Sequence, residues 1–276
     1  MVRITVLVDD VGGGGDLPGE HGWSAFVECA AGAFLFDTGQ SELFAENAER
    51  LGVRLSRAGH IVLSHGHYDH TGGLGRALAE VPTAAVVAHE AAFVDRYAAD
   101  GAAVRSIGSP IGLQAVRDSG AWLSLSADPV DLPCGAITTG QIPRVTDFET
   151  VTASFHLEGA DGPHDPVPDD LAVLTAVHGG AVLLCGCAHA GLVNTLIYVA
   201  ERWPERPVVA VVGGLHMVGA SPERIERTLD FLEDLGPPDI WPSHCTGGPA
   251  VGALSARFPD HVHPCHVGTV LEYPAD

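Results

Sequence analysis

Two rhythms run through the apolar positions of this chain. Residues 3–10, RITVLVDD, alternate and are β-branched, which predicts a first strand. Residues 24–39, SAFVECAAGAFLFDTG, read as two strands joined at Ala30-Ala31-Gly32 and ending at Asp37-Thr38-Gly39. SELFAENAERLG (41–52) switches to helical spacing, with Leu43, Phe44, Ala48 and Leu51 on one face and Gly52 as the stop. GHIVLS (59–64) predicts a buried strand, TGGLGRALAEV (71–81) a helix with Thr71 as N-cap, and TAAVVAH (83–89) a further strand. Residues 96–133 mix Gly, Pro, Ser and isolated apolar residues, and read as a loop-rich insertion with one short strand at Trp122–Leu125.

The pattern clears again in the second half. LAVLTAVHGGAVLLCG (171–186) predicts a hairpin turning at His178-Gly179-Gly180. GLVNTLIYVAERW (191–203) predicts a helix, PVVAVVGG (207–214) a strand, DIWPSH (239–244) a short strand and GPAVGALSARF (248–258) a helix. SPERIERTLDFLEDLG (221–236) carries Ser221 as N-cap, Pro222 in the first turn and Gly236 at its end. Strand pairs followed by strand–helix alternation, once in each half, predict an α/β fold of two packed sheets with helices outside. No repeat and no long linker divides the chain, so one domain spanning 1–276 is expected.

Charge narrows the partners. The formal net charge is −21, from 14 basic and 35 acidic residues, a surface that repels a phosphate polymer. Nucleic acid is therefore not an expected partner. The start, MVRITVLVDD, has too short an apolar run for a signal peptide, and no segment is apolar for long enough to span a membrane. Cys29, Cys134, Cys185, Cys187, Cys245 and Cys265 are too few for a disulfide framework in a chain of 276 residues. Reduced thiols and a cytoplasmic location are the expectation; the oligomeric state is left open.

Chemistry concentrates in GHIVLSHGHYDHTGG, 59–73. Residues two apart in an extended segment point the same way, so His65 and His67 can grip one ion together. Gly66 allows a tight backbone path between them. Asp69 and His70 follow where the chain turns into a helix, and can face a second ion. Imidazole with carboxylate suits Zn²⁺, Mn²⁺ or iron rather than Ca²⁺. Three more histidines end apolar strands: His189, His216 and His244. Metal ligands sit at such strand ends in layered α/β folds.

His65-x-His67-x-Asp69-His70 after a strand resembles the signature of the metallo-β-lactamase fold superfamily. Asp37-Thr38-Gly39 is similar to that superfamily's strand-end Asp, which supports the ligand loop. The resemblance implies a four-layer αββα sandwich with one or two divalent transition metals in the cleft between the sheets, Zn²⁺ foremost, Mn²⁺ or iron otherwise. EHGWS (20–24), TTGQIPR (138–144), DDLAV (169–173), GCAHAGLVNT (186–195), GGLHM (213–217) and PSHCTG (242–247) occur in this order. That series resembles the subfamily named for dihydropterin-methyl-ribofuranosylaminobenzene-phosphate synthase, which also holds many metallo-hydrolases.

The resemblance implies roles for single residues. His65, His67 and His189 would hold a first ion; Asp69, His70 and His244 would hold or steer a second. His216 is left between ligand and substrate contact. Asp69 and His244 are the expected catalytic groups, with Asp69 able to orient water as a base if only one metal binds. The superfamily's bridging Gly-Asp is replaced by Gly186-Cys187, so either Cys187 or His189 takes that place; Cys187 is read first as a small buried apolar residue. Glu20 and His21 would rim the cleft, and Arg144 would clamp a phosphate or carboxylate. Asp169-Asp170 would position the following hairpin. His60 is read as structural, and His156, His164, His178 and His261 as surface residues.

The expected activity is therefore a metal-dependent hydrolase acting on a phosphoester, acyl or lactone bond of a small anionic substrate. A pterin-diphosphate synthase is the alternative, and a non-catalytic metal-bound binding protein a second one. Gly12–Gly15 lacks the Gly-Lys-Ser/Thr ending of a nucleotide loop, and no Gly-x-Ser-x-Gly elbow is present.

Overall fold

The computed structural model describes residues 1–100, 103–159 and 161–275. The first half runs β1 (Val2–Val8), β2 (Ser24–Cys29), β3 (Gly32–Phe36), α1 (Leu43–Arg50), β4 (Ala58–Val62), α2 (Tyr68–Thr71), α3 (Leu74–Glu80) and β5 (Ala85–Ala88). Then come β6 (Arg96–Asp100), β7 (Ala103–Ser106), α4 (Leu113–Asp118), β8 (Trp122–Leu125), β9 (Ala136–Thr138) and β10 (Phe155–Leu157). The second half runs β11 (Ala172–Val177), β12 (Gly180–Cys185), α5 (Leu192–Arg202), β13 (Val208–Gly214), α6 (Pro222–Leu235), β14 (Asp239–Ser243), α7 (Gly248–Arg257) and β15 (Val270–Tyr273).

Three sheets result. A seven-stranded sheet has the order β15-β1-β2-β3-β4-β5-β8, a five-stranded sheet β14-β13-β12-β11-β9, and a three-stranded sheet β10-β6-β7. Successive side chains of a strand point to opposite faces, which sorts them into layers. On β3, Ala33 and Leu35 face α1, α3 and α4, where they meet Phe44, Leu74 and Val116. Phe34 and Phe36 face the other way, onto Val173, Val182, Leu184 and Val212 of the five-stranded sheet. On β12, Leu183 and Cys185 face α5, α6 and α7, beside Leu196, Leu232 and Leu254. Three apolar layers between four layers of structure make an αββα sandwich. Each fully buried Leu, Ile, Val or Phe in them contributes roughly 1.5–3 kcal/mol.

Strand direction fixes where chemistry can sit. β3, β4 and β5 are mutually parallel, and so are β12, β13 and β14. Their C-terminal ends therefore open on one edge of the sandwich, the edge at which such sheets take ligands. His65 follows β4, Cys187 and His189 follow β12, His216 follows β13 and His244 follows β14.

Some elements depart from expectation. Thr71 does not cap α3. It ends α2, its Oγ1 donating to His67 O at 2.9 Å, and α3 starts at Leu74 behind Gly73. The stretch read as a loop-rich insertion holds the β6–β7 pair and α4 as well as the expected β8. The thiols are not all reduced: Cys29 and Cys134 form a disulfide with Cα atoms 5.7 Å apart. The turn before β9 lies against the β2–β3 hairpin, which brings together two cysteines 105 residues apart. The α6 signals behave as read, with Ser221 Oγ accepting from Arg224 N and Gly236 closing the helix. Among the described residues, no helix is long and apolar enough to cross a membrane.

Candidate metal centre

β4 passes through Leu63-Ser64 and delivers His65 at the sheet edge. Its parallel neighbour β3 delivers Asp37, fully buried and held at φ 57°. Asp37 Oδ1 accepts from Ser64 N at 2.7 Å, and Oδ2 accepts from Ser64 Oγ at 2.7 Å and His70 Nδ1 at 2.8 Å. The strand-end aspartate therefore ties both ends of the ligand turn, the support that the family resemblance implied. These bonds also fix tautomers. Ser64 gives its proton to Asp37 and so accepts from His65 Nδ1, 2.9 Å away. That leaves Nε2 of His65 and of His70 as bare lone pairs.

Both lone pairs point into one cluster. His65 Nε2 lies 3.0 Å from His67 Nδ1 and 3.2 Å from His189 Nε2. The single lone pair of His65 Nε2 can accept from only one of these two rings at a time, and His67 Nε2 and His189 Nδ1 have no hydrogen-bond partner. Burial pushes the pKa of His65, His67 and His189 well below the ordinary imidazole value. Three neutral imidazoles converging on a point are a poor hydrogen-bond network and a good metal cage.

A second group adjoins the first. Asp69 Oδ2 lies 3.3 Å from His244 Nε2, 3.3 Å from His21 Nε2 and 3.7 Å from His70 Nε2. Burial opposes ionisation of Asp69, but the imidazoles of His70 and His244 hold its carboxyl well below the usual range. His70 Nε2 also lies 3.1 Å from Cys187 Sγ, and Cys187 Sγ lies 3.2 Å from Cys245 Sγ. Ligand atoms of His65, His67 and His189 fall within 4.8 Å of one another; so do those of His65, His70 and Cys187, and those of Cys187, His244 and Cys245. The donor set, imidazole with carboxylate and thiol, fits a divalent transition metal.

Residues that the sequence reading missed support this shell. Asp10 accepts from His244 Nδ1 at 2.6 Å and from His21 Nδ1 at 3.2 Å, and Asp9 Oδ1 accepts from His244 N at 2.8 Å. Burial opposes protonation of His244, but Cys245 and the carboxylates of Asp10 and Asp69 raise its pKa well above the usual value. Behind the ligand turn, fully buried Arg96 bridges Asp165 and Asp169, and Asp169 Oδ2 accepts from Gly66 N at 2.7 Å. A Cβ on Gly66 would fall 2.0 Å from Ala92 O, so only glycine lets the turn sit this close. Asp170 Oδ2 accepts from Ala190 N at 2.7 Å, and burial pushes its pKa up to about 6. The Asp169-Asp170 pair thus anchors two ligand segments rather than only the hairpin after it.

Left-handed backbone gathers here too. Asp37, Ala188, His216 and His244 have φ of 57°, 52°, 40° and 47°. Such strain in non-glycine residues persists where surrounding structure over-determines it, as at functional sites.

A cleft of about 640 Å³ opens over the cluster. Its roof is the three-stranded sheet, through Ala98, Val104, Arg105 and Phe155. The Phe155 ring lies 5.2 Å from that of His67 and 5.8 Å from that of His189. His21 and His216 line the cleft; the His216 ring lies 4.1 Å from that of His189, tilted by 49°, and its Nε2 is 3.2 Å from Thr152 Oγ1. Glu20 does not line it: Oε2 accepts from Ser41 Oγ at 2.6 Å, which pins the loop before α1. Arg144 does not line it either: Nη2 donates to Val167 O at 3.4 Å and His189 O at 3.3 Å, behind the ligand. Arg105 is the Arg or Lys that faces the cleft among the described residues. His156 and His164 stay outside the cleft, as expected of them, bonding the carbonyls of Gly162 and Thr152.

The chain belongs to the metallo-beta-lactamase superfamily, whose pattern it matches over residues 17–244. It is 31% identical, over 91% of its length and 93% of the relative's, to an uncharacterized protein of Methanocaldococcus jannaschii. It is 27% identical, over 99% of its length and 97% of the relative's, to the 7,8-dihydropterin-6-methyl-4-(beta-D-ribofuranosyl)-aminobenzene-5'-phosphate synthase of the same organism. Among solved structures, Tm1679, described as a metal-dependent hydrolase of the beta-lactamase superfamily, superposes with a TM-score of 0.85 at 28% identity, covering 99% of this chain and 100% of that one.

Proposed function

We propose that the chain is a metal-dependent hydrolase that cleaves a phosphoester, acyl or lactone bond in a small anionic substrate. The convergence of three buried imidazoles, His65, His67 and His189, on the floor of an open cleft carries this reading. In this reading His65, His67 and His189 hold one divalent ion, Zn²⁺ foremost with Mn²⁺ or iron as alternatives, and Asp69, His70 and His244 hold or steer a second. When bound, such ions supply Lewis-acid activation of water and of the substrate's oxygen. Where only one ion binds, Asp69, kept ionised at the cleft wall, would orient the attacking water as general base. Where His244 steers rather than holds the second ion, its Nε2, with Nδ1 braced by Asp10, would donate to the oxygen on which charge develops. Phe155 and the alanines of the roof exclude bulk water from one side.

A second reading rests on the synthase named for the 27% identical relative. There the same groups would stabilise a departing diphosphate while an aromatic carbon is joined. Metal analysis of protein purified without added metal, followed by a phosphodiester, lactone and pterin-diphosphate panel, separates the two. Turnover of a phosphodiester or lactone supports the hydrolase. Turnover of the pterin diphosphate alone overturns it in favour of transfer.

Two substitutions refine the picture. Cys187→Ser should keep at least one metal equivalent, because three histidines still close the first position; loss of all metal by elemental analysis would make the thiol indispensable to both positions. Arg105→Ala should raise KM for a phosphate-bearing substrate roughly tenfold, the effect of losing one charge-assisted hydrogen bond of ~1.5 kcal/mol, and leave KM for a neutral ester unchanged. Arg144→Ala should lower stability and affect both substrates alike. A selective effect at Arg144 instead of Arg105 would restore the clamp expected from the sequence.

A further inference from the structure

We infer that Cys187 and Cys245 are paired thiolate ligands, which make the second metal position a sulfur site while the first stays all-imidazole. The inference rests on the metal-dependent reading of the same cluster and specifies its donor set. Cys187 comes from the end of β12 and Cys245 from the turn after β14, and both are buried, line the cleft and lie 3.2 Å apart at sulfur. Cys187 Sγ faces the bare lone pair of His70 Nε2 at 3.1 Å.

Cys185 shows what a merely space-filling thiol looks like in this chain. Two residues before Cys187, it points into the apolar layer beneath α5, α6 and α7 and does not touch the cleft. Cys187 points the opposite way, among imidazoles and a second thiol. The backbone is shaped to admit that second sulfur: a Cβ on Gly214 would fall 2.7 Å from Cys245 Sγ. A Cβ on Gly186 would fall 2.0 Å from Ser64 Oγ, so the strand end that carries Cys187 is pressed against the ligand turn.

Charge gives the same answer. Divalent ions buried among neutral imidazoles need anionic ligands to offset them. Asp69 is the carboxylate that faces the inner cluster, since Asp10 acts through His21 and His244 and Asp37 through His70 and Ser64. The strand end after β12 carries Gly186-Cys187 and no carboxylate. Two thiols, each releasing its proton to solvent on ligation, supply the missing negative charge. Thiolates also select a softer ion than imidazole and carboxylate alone.

Cobalt(II) tests this without an activity assay. Metal-free protein, kept reduced and anaerobic, is titrated with Co²⁺ while visible ligand-field bands and near-ultraviolet sulfur-to-cobalt charge transfer are followed. The expected result is charge-transfer intensity that rises with the second equivalent, falls by about half in Cys245→Ser, falls at least as far in Cys187→Ser, and persists in Cys185→Ser. Circular dichroism of each variant checks that it is folded. Visible bands without any charge transfer in the unmodified protein would overturn this inference alone, and need no variant to fold. So would a band untouched by both substitutions, or a Cys187–Cys245 disulfide persisting in the cobalt-loaded protein. Failure to bind cobalt at all would overturn the hydrolase reading together with it.

Discussion

His65→Ala and His67→Ala should each lower bound metal more than tenfold while the metal-free proteins stay folded. Each change removes one of three converging nitrogens, and changing even an indirect partner of a ligand costs 10–100-fold in metal affinity. The fold should tolerate the loss because the imidazoles do not hold it together. Their ring nitrogens crowd one another, His67 Nε2 has no partner, and burial already disfavours their charged forms. The apolar layers that fold the chain lie on both faces of β3, β4 and β12, away from the strand ends that carry the imidazoles. Metal-free stability should therefore move by no more than about 2 kcal/mol, the cost of a small cavity and one lost hydrogen bond. The metal-loaded proteins should separate widely in melting temperature, since only the unmodified one gains from binding. Full metal in both variants by elemental analysis would place the site elsewhere.

What the sequence made legible was whatever is local. The His65–His70 turn is six residues long, and its spacing states its purpose. Strand ends are local too, so His189, His216 and His244 could be picked by where apolar runs stop, and all three line the cleft with His67 and Asp69. β3, β4 and β12 were legible as apolar strands, while the assignment of their side chains to the helices or to the other sheet comes from the packed layers. The parts that stayed hidden depend on contacts between distant segments. Asp10 supports His244 across 234 residues, and nothing in VDD distinguishes it from a solvated strand end. Arg105 and Arg144 are alike as isolated cations, and only the placement of the β6–β7 pair over the cleft separates them. The short strand β7 lacks a buried face of its own, Ala103–Ser106 being exposed throughout, and β6 buries a cation and a small residue, Arg96 and Ala98, so hydrophobic periodicity had little to register. Thr71 looked like a helix cap because the ligand turn is itself helical from Tyr68 onward.

Arg96 is the plainest case of a residue without a local signal, and its removal should be the costliest single change outside the apolar core. Its guanidinium is fully buried, with Nη1 2.8 Å from Asp169 Oδ2, Nε 3.0 Å from Asp165 Oδ2 and Nη2 donating to Ala91 O at 3.1 Å. Both carboxylates are buried as well. Arg96→Ala would strand two of them without a counter-charge, and breaking a buried pair this way costs about 3–5 kcal/mol. Arg96→Lys should recover little, because an ammonium cannot span both carboxylates and the Ala91 carbonyl with one planar fork. The effect should reach the metal centre, since Asp169 also holds Gly66 N between His65 and His67. Chemical denaturation of the metal-free protein measures the stability loss, and metal affinity in the folded variant measures the transmitted part. Neutralising the stranded groups, with Arg96→Met, Asp165→Asn and Asp169→Asn together, should regain part of the stability and little of the metal affinity, because an amide accepts less strongly from Gly66 N than a carboxylate does. A stability loss below about 1 kcal/mol for Arg96→Ala, the size of a surface ion pair, would mean that the carboxylates reach water or protons and that the cluster does not anchor the ligand turn.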